Sequence, residues 1–155
     1  MLLFAYGSNL DFNQVRARCP SAQFVAKALL TDYRLYFPRY GPKWGCGVAS
    51  VADSERDHLW GVAYDIADDD VLKMDTCEGF NSKRRPEQNS YNRLQVSVLR
   101  DGNVATPLTA FTYIAVPQPN PPLPNANYRA TLEKGARDWK LPDDYVKMLE
   151  AIRIS

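Results

Sequence analysis

One histidine, His58, and three cysteines, Cys19, Cys46 and Cys77, are all that this chain carries of the residue types that build most nucleophilic triads and zinc sites. A single histidine argues against a Ser-His-Asp triad and against a typical zinc centre. An odd cysteine count without CxxC spacing argues against a disulfide framework or a zinc knuckle, and points to a reduced, cytoplasmic setting. No apolar run approaches the roughly 20 residues that cross a bilayer. The first residues also lack a basic segment followed by an apolar one, so a soluble, unexported chain without a membrane partner is expected. Neither GxxxxGK[ST] nor GxGxxG occurs, which removes the usual nucleotide cradles. Charge of one sign is lacking too: 19 basic side chains face 18 acidic ones, for a net +1. That balance removes the chain-wide electrostatic case for nucleic acid or an anionic membrane, and a small ligand fits better.

What is present suffices for one core. With 155 residues, 45% of them hydrophobic and 12% aromatic, residues 1–155 are expected to form a single domain. Leu2 to Tyr6, Phe24 to Phe37 with a break near Thr31-Asp32, Gly47 to Ala52, and His58 to Ile66 carry branched and aromatic residues with partial period-2 alternation. Tyr91 to Leu99 and Leu108 to Ala115 form a further pair around Asp101-Gly102, a dipeptide suited to a tight hairpin. A mixed, mainly antiparallel sheet follows. Helices are expected from Asp11 to Arg18, ended by Pro20, and from Asp68 to Cys77, ended by Gly79. Two more run from about Asn127 to Trp139 and from Pro142 to Ile152, the last with Tyr145, Met148, Leu149 and Ile152 inward. Between sheet and helices, "VPQPNPPLPN" (Val116 to Asn125) reads as an extended polyproline connection. No internal repeat and no domain boundary is apparent.

The stretch "FAYGSNL", Phe4 to Leu10, marks where the first strand stops and an amphipathic segment begins. Asp11 is placed to cap that helix, with Gln14 as its capping-box partner, so several N–H groups are presented near a helix start. Gly7 would permit φ values closed to other residues and let a ligand approach the main chain. Turn chemistry alone also accounts for Gly-Ser-Asn at this place.

With "YGSNL" directly after an N-terminal strand, then "GVASV", "LWGVAYDI", "VLKMDTCEG" and "YNRLQVSV" in that order, the chain resembles the γ-glutamylcyclotransferase-like superfamily, which includes γ-glutamylcyclotransferases, γ-glutamylamine cyclotransferases and AIG2-like proteins. "GVASV" (Gly47 to Val51) and "LWGVAYDI" (Leu59 to Ile66) resemble the central strands. "VLKMDTCEG" (Val71 to Gly79) resembles the segment that carries the catalytic glutamate, "YNRLQVSV" (Tyr91 to Val98) the following strand, and "NYRATLEKGARDWKLPDDYVKMLEAI" the C-terminal helical pair. The resemblance implies an α+β fold, its sheet closed into a small barrel with helices outside. It implies a cyclotransferase of glutathione metabolism that closes 5-oxoproline from a γ-glutamyl peptide, amino acid or amine, with no cofactor and no metal. It makes Glu78 the catalytic acid/base and Tyr6, Gly7, Ser8, Asn9 and Leu10 the substrate loop, with Tyr128 as a further contact. Two departures stand out. Met74 replaces the usual leucine, a swap of similar volume. Eleven residues, Phe80 to Ser90, separate Gly79 from Tyr91; this loop, with Lys83-Arg84-Arg85, is expected to be a mobile cover over the site.

Other constellations have plain readings. Cys77 beside Glu78 lacks a base, and free cysteine behaves as a small hydrophobe. Asp68-Asp69-Asp70 suit the first turn of a helix without any cation. Lys83-Arg84-Arg85 suit a solvated loop, and "PNPPLP" a stiff connector as well as a ligand for a proline-reading module. Beside the enzyme stand a non-catalytic small-molecule binding protein of the same fold and an interaction protein using the proline segment. The leaving group and the oligomeric state have no mark in the sequence.

Overall fold

Five strands and four α-helices make up the computed structural model, which describes residues 1–155. In chain order they are β1 (Leu2–Ala5), α1 (Phe12–Arg18), β2 (Gln23–Gly41), β3 (Cys46–Asp65), α2 (Asp68–Glu78), β4 (Tyr91–Arg100), β5 (Pro107–Ala115), α3 (Ala126–Asp138) and α4 (Asp143–Glu150), with short 3₁₀ turns at Ser8–Leu10 and Pro86–Gln88. The strands close a barrel in the order β1-β3-β2-β4-β5. All neighbours are antiparallel except β1 and β5, which meet in parallel at Leu3 and Phe111 and close the ring. Closure removes the unpaired edges that an open sheet would expose. No helix is long and apolar enough to cross a membrane.

The expected interruption near Thr31-Asp32 is a bulge within continuous strands, not a break. Thr31 pairs with His58 and Tyr33 with Asp53, so Asp32 alone faces Ser54 to Asp57. Both Asp32 (φ 62°) and Arg56 (φ 70°) take left-handed backbone. The Asp32 carboxylate accepts the Arg56 N–H at 3.1 Å. Polar residues at the bulge tolerate the bend, and pairing resumes beyond it. The four short segments expected here are therefore two long strands of 19 and 20 residues.

Along the barrel strands, Leu3, Val51, Leu59, Val62 and Val98 are buried, and on β4 Val96 and Val98 alternate with exposed Gln95 and Ser97. This is the period-2 signature of a half-buried strand. Outside the barrel, Tyr128, Leu132 and Ala136 of α3 pack with Tyr145, Val146 and Leu149 of α4. Met148, expected inward, is 39% exposed, and Val146 takes its place. The proline segment packs along the β2-β3 hairpin: Gly47 N–H donates to Leu123 O, Gln118 N–H to Pro38 O, and Asn125 Nδ2 to Trp44 O. A Cβ on Gly47 would lie 2.0 Å from Pro122 O, so only glycine admits this approach.

Candidate active site

β1 delivers the chain into Tyr6-Gly7, and the 3₁₀ turn Ser8–Leu10 reverses it toward α1, with Leu10 N–H bonded to Gly7 O and Asp11 N–H to Ser8 O. Asp11 caps α1 by accepting the Asn13 N–H at 3.0 Å. Gln14 is not its capping-box partner: Gln14 Nε2 donates to Ser8 Oγ at 2.9 Å and to Asn9 Oδ1 at 3.0 Å. The side chain thus braces the loop instead of the helix end. Gly7 has φ −107°, which corrects the expectation of a positive φ. A Cβ there would make ordinary contact with Ala49 Cβ at 3.5 Å and Tyr128 Oη at 3.6 Å. The glycine therefore keeps space at a cavity wall. Leu10 does not reach that cavity. Its side chain is 1% exposed, against α3, where Gly135 admits it; a Cβ on Gly135 would lie 2.5 Å from Leu10 Cβ. Leu10 anchors the loop from behind, and its carbonyl accepts Trp139 Nε1–H at 2.9 Å.

Glu78 is the last residue of α2, which Gly79 ends in left-handed backbone at φ +68°. Its Oε1 accepts Asn9 Nδ2 at 3.1 Å and Arg18 Nη1 at 3.3 Å, and Arg18 Nη1 also meets Asn9 Oδ1 at 3.1 Å. Oε2 receives no protein donor. Burial drives the Glu78 carboxyl above the ordinary carboxylate range, against the pull of Arg18, Asn9 and Lys43. An inner cavity of about 50 Å³ is lined by Tyr6, Gly7, Ser8, Asn9, Glu78 and Tyr128, with Ala49, Tyr91 and Tyr113 among the rest. Glu78 is its one carboxylate. Burial holds the Tyr6, Tyr91, Tyr113 and Tyr128 hydroxyls well above their usual range, so these phenols stay neutral. They serve as frame: Tyr128 Oη accepts Ala49 N–H at 2.9 Å, Tyr91 Oη donates to Ala49 O at 2.9 Å, and Tyr6 Oη donates to Tyr113 O. The chemistry available is proton exchange at one desolvated carboxylate beside a main-chain turn.

The family model described as gamma-glutamyl cyclotransferase, AIG2-like, matches residues 3–140. The chain belongs to this family of enzymes. It is 31% identical over 156 residues to the gamma-glutamylcyclotransferase of Mus musculus, covering 97% of this chain and 78% of that one. The Homo sapiens gamma-glutamylcyclotransferase is 31% identical over 155 residues, with the same coverage. Among solved structures, a gamma-glutamyl cyclotransferase superposes with a TM-score of 0.87 at 28% identity, covering 99% of this chain and 88% of that chain. The closed barrel with flanking helices is the architecture of this family.

Within this cyclotransferase fold, the loop from Phe80 to Ser90 does not cover the site. Only its flank, Gly79 and Ser90, reaches the cavity system, while Lys83, Arg84 and Arg85 are exposed and line neither cavity. The loop is pinned from below by buried Asn89, whose Oδ1 accepts Asn81 N–H and whose Nδ2 donates to Asn81 O and to Asn92 Oδ1 at 2.8 Å. Cys77 is exposed on the wall of a second, outer cavity, and its thiol makes no hydrogen bond with a base. Gln14, expected only as a cap partner, joins the site, as do Arg18, Lys43 and Tyr91, none of which the sequence reading assigned to it. For Gln14 and Arg18 the available signal was their i, i+4 spacing, which puts both on one face of α1. Lys43, on the β2-β3 turn, clasps that face by donating to Gln14 Oε1 at 2.7 Å.

Proposed function

We propose that this cyclotransferase releases 5-oxoproline from a γ-glutamyl peptide, amino acid or amine, with Glu78 as general acid and base. The single observation that carries this reading is a partly buried carboxylate with one oxygen fixed by Asn9 and Arg18 and the other free beside the Tyr6-to-Asn9 loop. In the reaction the α-amine nitrogen bonds to the γ-carbonyl carbon, the γ-amide C–N bond breaks, and the leaving nitrogen departs as an amine. Glu78 takes the proton the attacking amine sheds and returns it to the departing nitrogen, so the carboxylate is regenerated each cycle. A carboxyl with raised proton affinity suits both halves of that exchange. Nucleophile and carbonyl belong to one molecule, so orientation supplies much of the acceleration. Main-chain N–H groups of Ser8 and Asn9 open a 3₁₀ turn, where no carbonyl of the turn itself can accept them. They are the natural donors to the oxyanion that forms on the carbonyl oxygen.

Glu78→Gln tests the assignment. The amide keeps the shape of the side chain but takes no proton, so 5-oxoproline release is expected to fall by about 10²- to 10⁴-fold. Fold and ligand binding are expected to persist. Near-normal release by this variant would sink the role given to Glu78. A wild-type protein that binds a γ-glutamyl compound tightly and turns none over would favour the non-catalytic binding protein instead.

A further inference from the structure

The inner cavity opens into an outer one of about 360 Å³, and the two share Ser8, Glu78, Tyr91 and Tyr128. The inner recess is too small to hold both halves of a γ-glutamyl substrate. Glu78 stands at the junction, so a carbonyl presented to it sends its leaving group outward. The charge of the outer cavity is lopsided: Arg18, Arg39 and Lys43 line it, against Glu78 as the one carboxylate. Arg18 is the partner of Glu78. Arg39 and Lys43 have no carboxylate partner. The Arg39 guanidinium rests on two neutral acceptors, Val116 O at 3.0 Å and Ser90 Oγ at 3.4 Å, and Lys43 on the neutral Gln14 Oε1. A guanidinium has five N–H donors, so most of those on Arg39 remain available. The chain as a whole is nearly neutral, so this excess of two cations is local to the cavity and does not follow from a basic surface.

Resting on the function proposed above, we propose that Arg39 and Lys43 form a carboxylate-binding subsite for the leaving group, which makes the preferred substrate a γ-glutamyl amino acid or peptide and selects against γ-glutamylamines. A carboxylate brought into the outer cavity neutralises both cations and gains charge-assisted hydrogen bonds from the guanidinium fork. An uncharged amine substituent leaves them unpaired. Lys43 adds a second effect through its clasp on Gln14: the side chain that meets the carboxylate also touches the brace of the Ser8-Asn9 turn.

The test compares γ-glutamylalanine with γ-glutamylethylamide, the same compound with the carboxylate replaced by hydrogen, on the intact protein. The kcat/KM for release of 5-oxoproline is expected to favour γ-glutamylalanine by about 10- to 100-fold, the worth of hydrogen bonds to a charged group. Arg39→Gln and Lys43→Gln are each expected to raise KM for γ-glutamylalanine more than for γ-glutamylethylamide, so that the ratio between the two compounds shrinks toward one. Lys43→Gln lies on an exposed turn, so it reads the subsite even where Arg39→Gln disturbs the strand. Equal kcat/KM for the two compounds in the wild type, or variants that weaken both alike, would overturn the subsite. If neither compound yields 5-oxoproline, the proposed cyclisation fails. The subsite is then read by equilibrium binding of the same two compounds, where the same ratio supports it, and equal or absent binding overturns it.

Discussion

Oε1 of Glu78 carries two donors, and they act on the proton affinity of the group as well as on its aim. Asn9 and Arg18 both favour the charged form, Arg18 more strongly, while burial favours the neutral form and wins. Arg18→Gln removes the larger of the two opposing influences, so the Glu78 carboxyl is expected to rise further. In the proposed reaction the amine proton can be taken only by the deprotonated carboxylate, so activity is expected to climb with pH through the Glu78 titration. The acidic limb of kcat/KM should therefore move to higher pH in Arg18→Gln and move less in Arg18→Lys, which keeps the cation. A pH-rate profile checks this; a limb at the wild-type position in both variants would mean that Arg18 does not act on the titrating group. A basic side chain in the last turn of α1 carries no mark of what lies across from it. That is why Arg18 was not legible in the sequence, whereas Glu78 was legible from the landmarks around it.

At the scale of elements, α2 holds two carboxylates shifted in opposite directions. Glu78 at its C-terminus is pushed up by burial, while Asp70 in its first turn is pulled down to about 2 by the Lys73 ammonium and by Ser21. Asp70 Oδ1 accepts Lys73 Nζ at 2.7 Å, and Oδ2 accepts both the N–H of Ser21, at 2.9 Å, and its hydroxyl. Three consecutive acids read from sequence as a favourable first turn. Asp68 and Asp69 fit that reading, being exposed, but Asp70 is buried and ties α2 to the Ser21 corner. With a folded pKa below the unfolded value of about 3.9, Asp70 contributes stability that is fully present above pH ~4 and is lost as pH falls toward ~2. Unfolding midpoints measured from pH 6 down to pH 2 should show wild type above Asp70→Asn at the neutral end, with the gap closing over the last two pH units. Parallel curves would count against an ion-paired Asp70. The ends of α2 were readable because aspartates and a glycine are local punctuation; the partner of Asp70 was not, because Ser21 lies 49 positions away.

For the molecule as a whole, the C-terminal helices and the N-terminal loop form one structural unit. Gly135 of α3 presses against Leu10, the residue after Asn9, so Gly135→Ala forces helix and turn apart. Overpacking of that kind costs about 1–3 kcal/mol, against a helix-propensity gain of at most about 1 kcal/mol. A net loss of stability in urea, accompanied by lower activity, is expected; a protein as stable and active as wild type would show that the contact yields freely. Alternating residues made the strands legible and capping signals the helices. Period-2 alternation does not name a strand's partner, however, so closure into a barrel came from the family resemblance alone and the strand order from neither. Arg39 and Lys43 were silent for a related reason: on a strand end and a turn, a cation looks like any solvated charge until the opposite wall is in place. The parallel seam of β1 and β5 bears on how the protein is made. Leu3 faces Phe111, and Thr112 Oγ1 donates to Phe4 O across 108 positions. On the ribosome β1 must therefore wait, unpaired on that side, until the segment that carries β5 has followed it. The loop it carries becomes a cavity wall only then, so the active site is among the last parts of a nascent chain to take shape.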